Sequence, residues 1–327
     1  MGTVLRSVGV GIPGRRMSND ELALRIDTSD EWIRSHTGIG SRHYAEDGVL
    51  TSDLAVAAAR EALAKAGVGA GELDFIALAT ATPDYFGFPS TACIVQEKLG
   101  APGCPAFDLS AGCTGFIYAL DVARGLLEVN DRRYALVIGA ETLSRVINWE
   151  DRSTSVLLGD GAGAVLLERE PRGGAGAGIL YSRLKADGAG ADSLKLVQSG
   201  RSKTFEREEP RVPYLYMDGR SVYNFAVKEI SDLIGELLER SGVTMGELSW
   251  IVPHQANARI IKAAAKRLSI PEGKFYLNIE EYANTSSASI PTALHEMDEK
   301  GLLHRGELLM FLGFGSGLTS GGVVLRW

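Results

Sequence analysis

A long-range repeat constrains this chain more than any single motif. "LDFIALATATPD" (73–84) is echoed by "LSWIVPHQANAR" (248–259), and "FDLSAGCTGFIYAL" (107–120) by "FYLNIEEYANTSSASIPTAL" (275–294). "YALVIGAET" (134–142) is echoed by "ELLMFLGFGSG" (307–317), and "GAVLLE" (163–168) by "GGVVLRW" (321–327). Both sets read strand, loop, helix, strand, loop, helix, strand, strand. Short continuous apolar runs mark strands buried on both faces. "LAVAAAREALAKAG" (54–67) and "STACIVQEKLG" (90–100) read as helices closed by glycine. Strands alternating with helices give the α/β class. Two similar units in one chain predict halves related by a pseudo-twofold axis. The glycine-rich "PRGGAGAGIL" (171–180) is the linker, dividing the chain into 1–172 and 173–327. Loops at the carboxyl ends of matching strands then face one shared cleft.

That cleft collects three groups. Cys113 follows the strand at 106–109, His254 follows a strand in "VPHQAN" (252–257), and Asn284 occupies the place corresponding to Cys113. Two readings fit Cys113. It is a small core cysteine, or it is a nucleophile. Glycines on either side allow a sharp turn and a close substrate approach. A helix starting at Cys113 aims its N–H groups at the sulfur and favours the thiolate. Cys93 reads as helix packing, and Cys104 as a loop residue without a role. A lone histidine is often a satisfied core residue, but His254 also offers a ring N–H or a proton acceptor. His295 and His304 lie in polar sequence and read as solvated. Asn284 fits a helix cap, or an amide donor that never titrates. With His254 it supplies two donors to one oxygen, an arrangement that stabilises an oxyanion. Neither "GDGAGA" (159–164) nor "GFGSG" (313–317) is a dinucleotide loop, because each leads into a strand rather than a helix. The second reads as a tight turn offering N–H groups.

Composition narrows the partners. A net charge of −7 carries no basic footprint for nucleic acid. The 3 cysteines show no disulfide framework, which fits a reducing cytoplasm. "MGTVLRSVGVGIPG" reads as a short strand and turn without the apolar core of a signal peptide. No run reaches the roughly 18 apolar residues of a membrane span. No Cys/His cluster has metal-ligand spacing.

"DLSAGCTGF", "VPHQANARII", "YANTSSASIPTAL" and "GFGSGLTSGG" together resemble the thiolase-fold condensing enzymes. With "TSDEWIRSHTGIGSRH" (28–43) and "GDGAGAVLL" (159–167), the chain resembles the β-ketoacyl-[acyl-carrier-protein] synthase III family along its length. The resemblance implies a thiolase-like fold layered αβαβα. It implies the initiating condensation of type II fatty acid synthesis, with Cys113, His254 and Asn284 as the triad. Elongating relatives carry a second histidine where this chain has Asn284. Cys113 would attack acyl-CoA, with the backbone N–H groups of Cys113 and Ser316 holding the oxyanion. Malonyl-acyl carrier protein would then lose carbon dioxide while His254 and Asn284 hold its carbonyl.

Trp32 would stack on the adenine with Arg152 on its other side, and Thr37 and Asn257 would contact the coenzyme A arm. His36 stands where the family commonly has arginine, with Arg34 as the compensating cation. Arg259, Lys262 and Lys266 would form a docking face for the acidic carrier protein, with Asn224 where the family has a lysine. "YFGFPSTAC" (85–93) resembles the dimer loop, whose Phe88 would close the partner's acyl pocket in a homodimer. Acyl-CoA is a substrate, and no cofactor or metal is implied. Two other readings keep the triad: a synthase of secondary metabolism, and a cysteine thioester hydrolase, which needs water at the acyl enzyme.

Overall fold

The structure is a computed structural model that describes residues 2–129, 132–170, 178–197 and 214–327. The expected duplication is visible in the strand order. The first sheet runs Gly2–Gly11, Gly161–Glu170, Tyr134–Glu141, Phe75–Ala79, Ala106–Leu109. The second runs Gly178–Ala186, Thr319–Arg326, Leu308–Gly315, Leu248–Pro253. Corresponding pairs agree in direction. Phe75–Ala79 lies parallel to Tyr134–Glu141, as Leu248–Pro253 lies parallel to Leu308–Gly315. The fifth strand of the second half shrinks to one parallel bridge, Ile251 to Phe275.

Side-chain alternation sorts each strand onto two cores. Val137 faces a central layer, while Leu136 and Ile138 face an outer one. Phe311 faces the same central layer, while Met310 and Leu312 face the opposite outer one. The central layer holds the helices Gly115–Val129 and Ser289–Glu299, both lined by fully buried apolar residues. Helices Thr51–Ala66 and Thr91–Leu99 cover the first sheet, and Gly219–Ser241 and Ala258–Leu268 the second. The layers are αβαβα. Each large apolar side chain buried here contributes roughly 1.5–3 kcal/mol.

Several expectations change. The N-terminal strand is not short: Gly2–Gly11 pairs with Gly161–Glu170 along its length, with a bulge between Leu5 and Ser7. The boundary at 172/173 and most of the linker lie outside the described residues. Cys93 is exposed rather than packed, because it sits on the outer side of its helix. His295 is not solvated: its Nε2 lies 2.7 Å from Glu61 Oε1. Glu61, His295 and Glu299 do converge with metal-ligating atoms, but Lys65 Nζ bridges Glu61 at 3.2 Å and Glu299 at 2.7 Å. No helix among the described residues is long and apolar enough to cross a membrane.

Candidate active site

The first site element is built by the end of Ala106–Leu109. Gly112 has φ +52, which turns the chain into a short 3-10 turn and then the helix Gly115–Val129. Cys113 sits at that turn, at the helix head. Strand Leu308–Gly315 ends against it. A Cβ on Gly315 would lie 2.8 Å from Cys113 Cβ and 3.0 Å from Cys113 N, so only glycine fits. The contact sets Cys113 and Ser316 side by side in the cavity lining. The Ser316 hydroxyl is turned away onto the carbonyl of Leu194. Thr114 and Thr319 rivet the two loops, with their hydroxyls 2.8 Å apart and Thr319 Oγ1 donating to Ser316 O at 2.7 Å.

His254 follows strand Leu248–Pro253 and is 1% exposed. Its Nδ1 lies 2.7 Å from Ser289 Oγ. That same oxygen accepts from Gln255 N at 3.3 Å. Phe314 packs edge-on to the imidazole, centroids 5.3 Å apart. Burial pushes His254 down to about 3, so it is neutral at working pH and carries one ring N–H.

Asn284 is fixed by its main chain, which bonds Leu157 O and Gly159 N at 2.9 Å each. Its Oδ1 accepts from Ser286 N at 2.8 Å, leaving Nδ2 as the free donor. The turn that carries it lies directly on strand Tyr134–Glu141. A Cβ on Gly139 would sit 2.2 Å from Ser287 O. Ala283 and Ser286 hold φ +56 and +48 in this turn, strain of a kind that gathers at functional sites.

Cys113, His254, Asn284 and Ser316 line one cavity of about 530 Å³. Trp32, Thr37 and Asn257 line it as well, with Trp32 partly exposed. Its apolar wall comes from the strands Leu194–Val197 and Tyr214–Met217, which the sequence reading missed. Short segments of that kind carry little periodic signal.

The thiol departs from expectation. Burial pushes Cys113 up to about 11; a hydrogen bond from Ser286 pulls it down, and the charge of Glu141 pushes it up. The helix start does not outweigh desolvation, and the resting thiol is protonated. Glu141 itself is fully buried and also went unread. Its Oε2 accepts from Thr82 Oγ1 at 2.7 Å, Ala81 N at 3.0 Å and Thr80 Oγ1 at 3.3 Å, and its Oε1 from Ser287 Oγ at 2.9 Å. The available signal was an acid closing the otherwise apolar strand "YALVIGAE".

The outer residues are already engaged. Arg152 places its guanidinium 4.9 Å over the Trp32 ring, and His36 stacks on that ring at 4.4 Å. A base reaching Trp32 must displace one of them. Thr37 Oγ1 donates to Ile33 O at 2.6 Å, and Asn257 caps helix Ala258–Leu268 and donates to His36 O at 3.1 Å. Arg34 does not compensate for His36: it is tied to Asp30 and Glu280, and it lines a separate pocket. Arg259, Lys262 and Lys266 are exposed on one face of their helix, with no ion pair among the described residues, and Asn224 is exposed on the adjacent helix. Phe88 is 90% exposed and lies outside the cavity lining.

A duplicated α/β fold that places a cysteine, a neutral histidine and an asparagine on one cavity defines a thiolase-like condensing enzyme. Residues 107–188 match the family described as "3-Oxoacyl-[acyl-carrier-protein (ACP)] synthase III", and residues 238–327 match its C-terminal counterpart. The chain belongs to this family, the acyltransferases that initiate fatty acid synthesis. It is 47% identical over 324 residues to β-ketoacyl-[acyl-carrier-protein] synthase III of Neisseria meningitidis serogroup C, covering 99% of this chain and 98% of that one. The solved 3-oxoacyl-[acyl-carrier-protein] synthase III of Aquifex aeolicus VF5 superposes with TM-score 0.92 at 44% identity, covering 100% of both chains. The Pseudomonas aeruginosa PAO1 enzyme superposes with TM-score 0.91 at 40% identity, covering 100% of this chain and 98% of that one.

Proposed function

We propose that Cys113 takes an acyl group from acyl-CoA and that the acyl enzyme then condenses with malonyl-acyl carrier protein. The backbone N–H groups of Cys113 and Ser316 hold the tetrahedral oxyanion during acyl transfer. His254 Nε2–H and Asn284 Nδ2–H then hold the malonyl thioester carbonyl. As carbon dioxide leaves, they stabilise the enolate, which attacks acyl-Cys113 and gives a 3-oxoacyl carrier protein.

The carrying observation is that both donors are fixed from behind, His254 by Ser289 and Asn284 by Ser286 N. Decarboxylation supplies the carbanion, so the site needs donors and not a base. A histidine pushed down to about 3 activates water poorly, which argues against the hydrolase. No electron changes hands in this sequence, so it assigns the enzyme no cofactor.

Trp32, Thr37 and Asn257 in the lining, with Arg152 stacked on Trp32, serve as the coenzyme A contacts. The exposed Tyr85, Phe86 and Phe88 form the loop offered to a second copy in a homodimer, and the cytoplasm is the compartment. To test the reading, the enzyme is incubated with a panel of acyl-CoAs and the acylated residue is read by mass spectrometry; malonyl-acyl carrier protein is then added. Acyl on Cys113, followed by carbon dioxide and 3-oxoacyl product, supports it. Acyl on Cys93 or Cys104, or free acid without condensation, overturns it.

Arg259, Lys262 and Lys266 serve as the docking face for the acidic carrier protein. Arg259 also lines the cavity, so the cleaner probe is Lys262→Glu with Lys266→Glu. The Michaelis constant for malonyl-acyl carrier protein should rise about tenfold and more steeply at low salt. Acyl loading from acyl-CoA should stay within twofold of the parent. An unchanged constant removes these lysines from docking.

A further inference from the structure

The turn that carries Asn284 has to be held against its own backbone. Ala283 and Ser286, at φ +56 and +48, flank the asparagine in left-handed conformation. Residues of that kind persist only where their surroundings over-determine them. On one side the Asn284 main chain is pinned to Leu157 O and Gly159 N. On the other side the anchor is a single side chain. Ser287 Oγ lies 2.9 Å from Glu141 Oε1 and 3.0 Å from Ala79 O. The second oxygen of Glu141 accepts from Thr82 Oγ1 at 2.7 Å, Ala81 N at 3.0 Å and Thr80 Oγ1 at 3.3 Å. One buried carboxyl therefore ties the loop 80–82 of the first half, where Ala81 lines the cavity, to the Asn284 turn of the second half. Seven apolar residues precede it on its strand, "YALVIGA". Packing alone gives no reason for an acid at the eighth position, and burying one is costly unless its oxygens are satisfied.

We propose that Glu141 is a positioning residue for Asn284: through Ser287 it holds the turn 283–287 so that the Asn284 amide meets the malonyl thioester oxygen during decarboxylation. The proposal rests on the reading of Asn284 as one of the two enolate donors. Glu141 is absent from the cavity lining, whereas Asn284 and Ser286 belong to it. The connection runs from Glu141 Oε1 to Ser287 Oγ, along the backbone to Ser286 N, and from that N–H to Asn284 Oδ1 at 2.8 Å. Releasing Ser287 lets the two left-handed residues relax, and the N–H that fixes the amide moves with them. A group displaced by about 1 Å from its productive place costs on the order of 10²-fold in rate. Acyl loading draws on other elements. Cys113 and Ser316 sit on the turn at 112–114 and the strand end at 315–316, held together by Thr114 and Thr319.

The test separates the two half-reactions. Acyl loading from acyl-CoA is read by rapid quench and mass spectrometry, and condensation is read on pre-acylated enzyme at saturating malonyl-acyl carrier protein. Glu141→Ala and Ser287→Ala should each lower condensation at least about tenfold, while acyl loading stays above about half the parent rate. Glu141→Gln should recover most of the lost condensation. Its Oε1 can take Ala81 N and Thr82 while its amide donates to Ser287 Oγ, whose hydrogen then serves Ala79 O. A residue that works through Asn284 adds nothing once Asn284 is gone. Ser287→Ala should therefore cost less than about twofold more in an Asn284→Ala background. A full tenfold loss in that background, or equal losses in loading and condensation, leaves a purely structural role and overturns the proposal. Ser287→Ala that condenses at the parent rate overturns it as well. If Glu141→Ala fails to fold, Ser287→Ala decides, since it keeps the Glu141 bonds to Thr80, Ala81 and Thr82. Parent enzyme that forms no Cys113 adduct, or Asn284→Ala that condenses like the parent, refutes the underlying function and the proposal with it.

Discussion

Cys113→Ala forms no acyl enzyme, and its production of 3-oxoacyl carrier protein falls by about 10⁴-fold or more. Losses of that size follow when a nucleophile is removed rather than weakened. The sulfur lies where two loops meet, with Gly112 and Gly315 pressed against each other's neighbours and Thr114 and Thr319 riveting them. The substitution removes one atom from a position that is only partly covered, so the fold should be nearly untouched, with a cost of about 1 kcal/mol or less. The variant keeps His254, Asn284 and their supports. It should therefore still bind malonyl-acyl carrier protein and release carbon dioxide slowly, without condensation. Intact-mass analysis after acyl-CoA treatment and a carbon dioxide assay on the same sample separate the two activities. Acyl transfer that survives in the alanine variant would place the nucleophile elsewhere.

The repeat made most of this architecture readable. Buried α/β strands show as apolar runs, and two matching series of such runs leave few topologies. It also aligned the loops carrying Cys113, His254 and Asn284, which sit at the carboxyl ends of corresponding strands. What stayed hidden depends on burial and on pairs far apart in sequence. Glu141 reads as an ordinary strand end until its fully buried carboxyl is seen. Ser289 reads as the start of the helix in "SASIPTAL", although its hydroxyl holds the ring of a histidine 35 positions away. The Cys113 thiol looked activated from its local sequence, because a helix start is a local feature and desolvation is not. Arg34 was readable and was misjudged: Asp30, its ion-pair partner, lies one helical turn earlier. The stacking of Arg152 on Trp32 joins residues more than one hundred positions apart.

His254→Ala and Asn284→Ala should each lower condensation by about 10²–10³-fold while Cys113 still accepts acyl groups. Each substitution removes one of two donors to a developing enolate oxygen, worth roughly 2.7–4 kcal/mol of barrier. Acyl loading uses the backbone N–H groups of Cys113 and Ser316 instead, so it should be largely spared. Asn284→Ala also strands Ser286 N–H, at a cost of about 1–3 kcal/mol. Asn284→Asp is the matched control. It keeps an acceptor for Ser286 and replaces the free donor with a charge that repels the enolate, so condensation should fall at least as far. The pH dependence distinguishes a donor from a base. His254 stays neutral until about pH 3, so it contributes no acid limb to condensation between pH 8 and about 5. A histidine base of ordinary affinity loses rate below about 6.5. Stability carries the opposite signature. The unfolded chain protonates this histidine near 6.5 and the folded one does not. Its contribution is therefore full above that pH and falls by up to about 1.4 kcal/mol per unit as pH drops toward 3. Acylated enzyme assayed with malonyl-acyl carrier protein from pH 8 to 5, alongside denaturant midpoints at each pH, reads both effects. A condensation rate that follows an imidazole titrating near 6.5 would assign His254 to proton transfer and remove it from the enolate-stabilising pair.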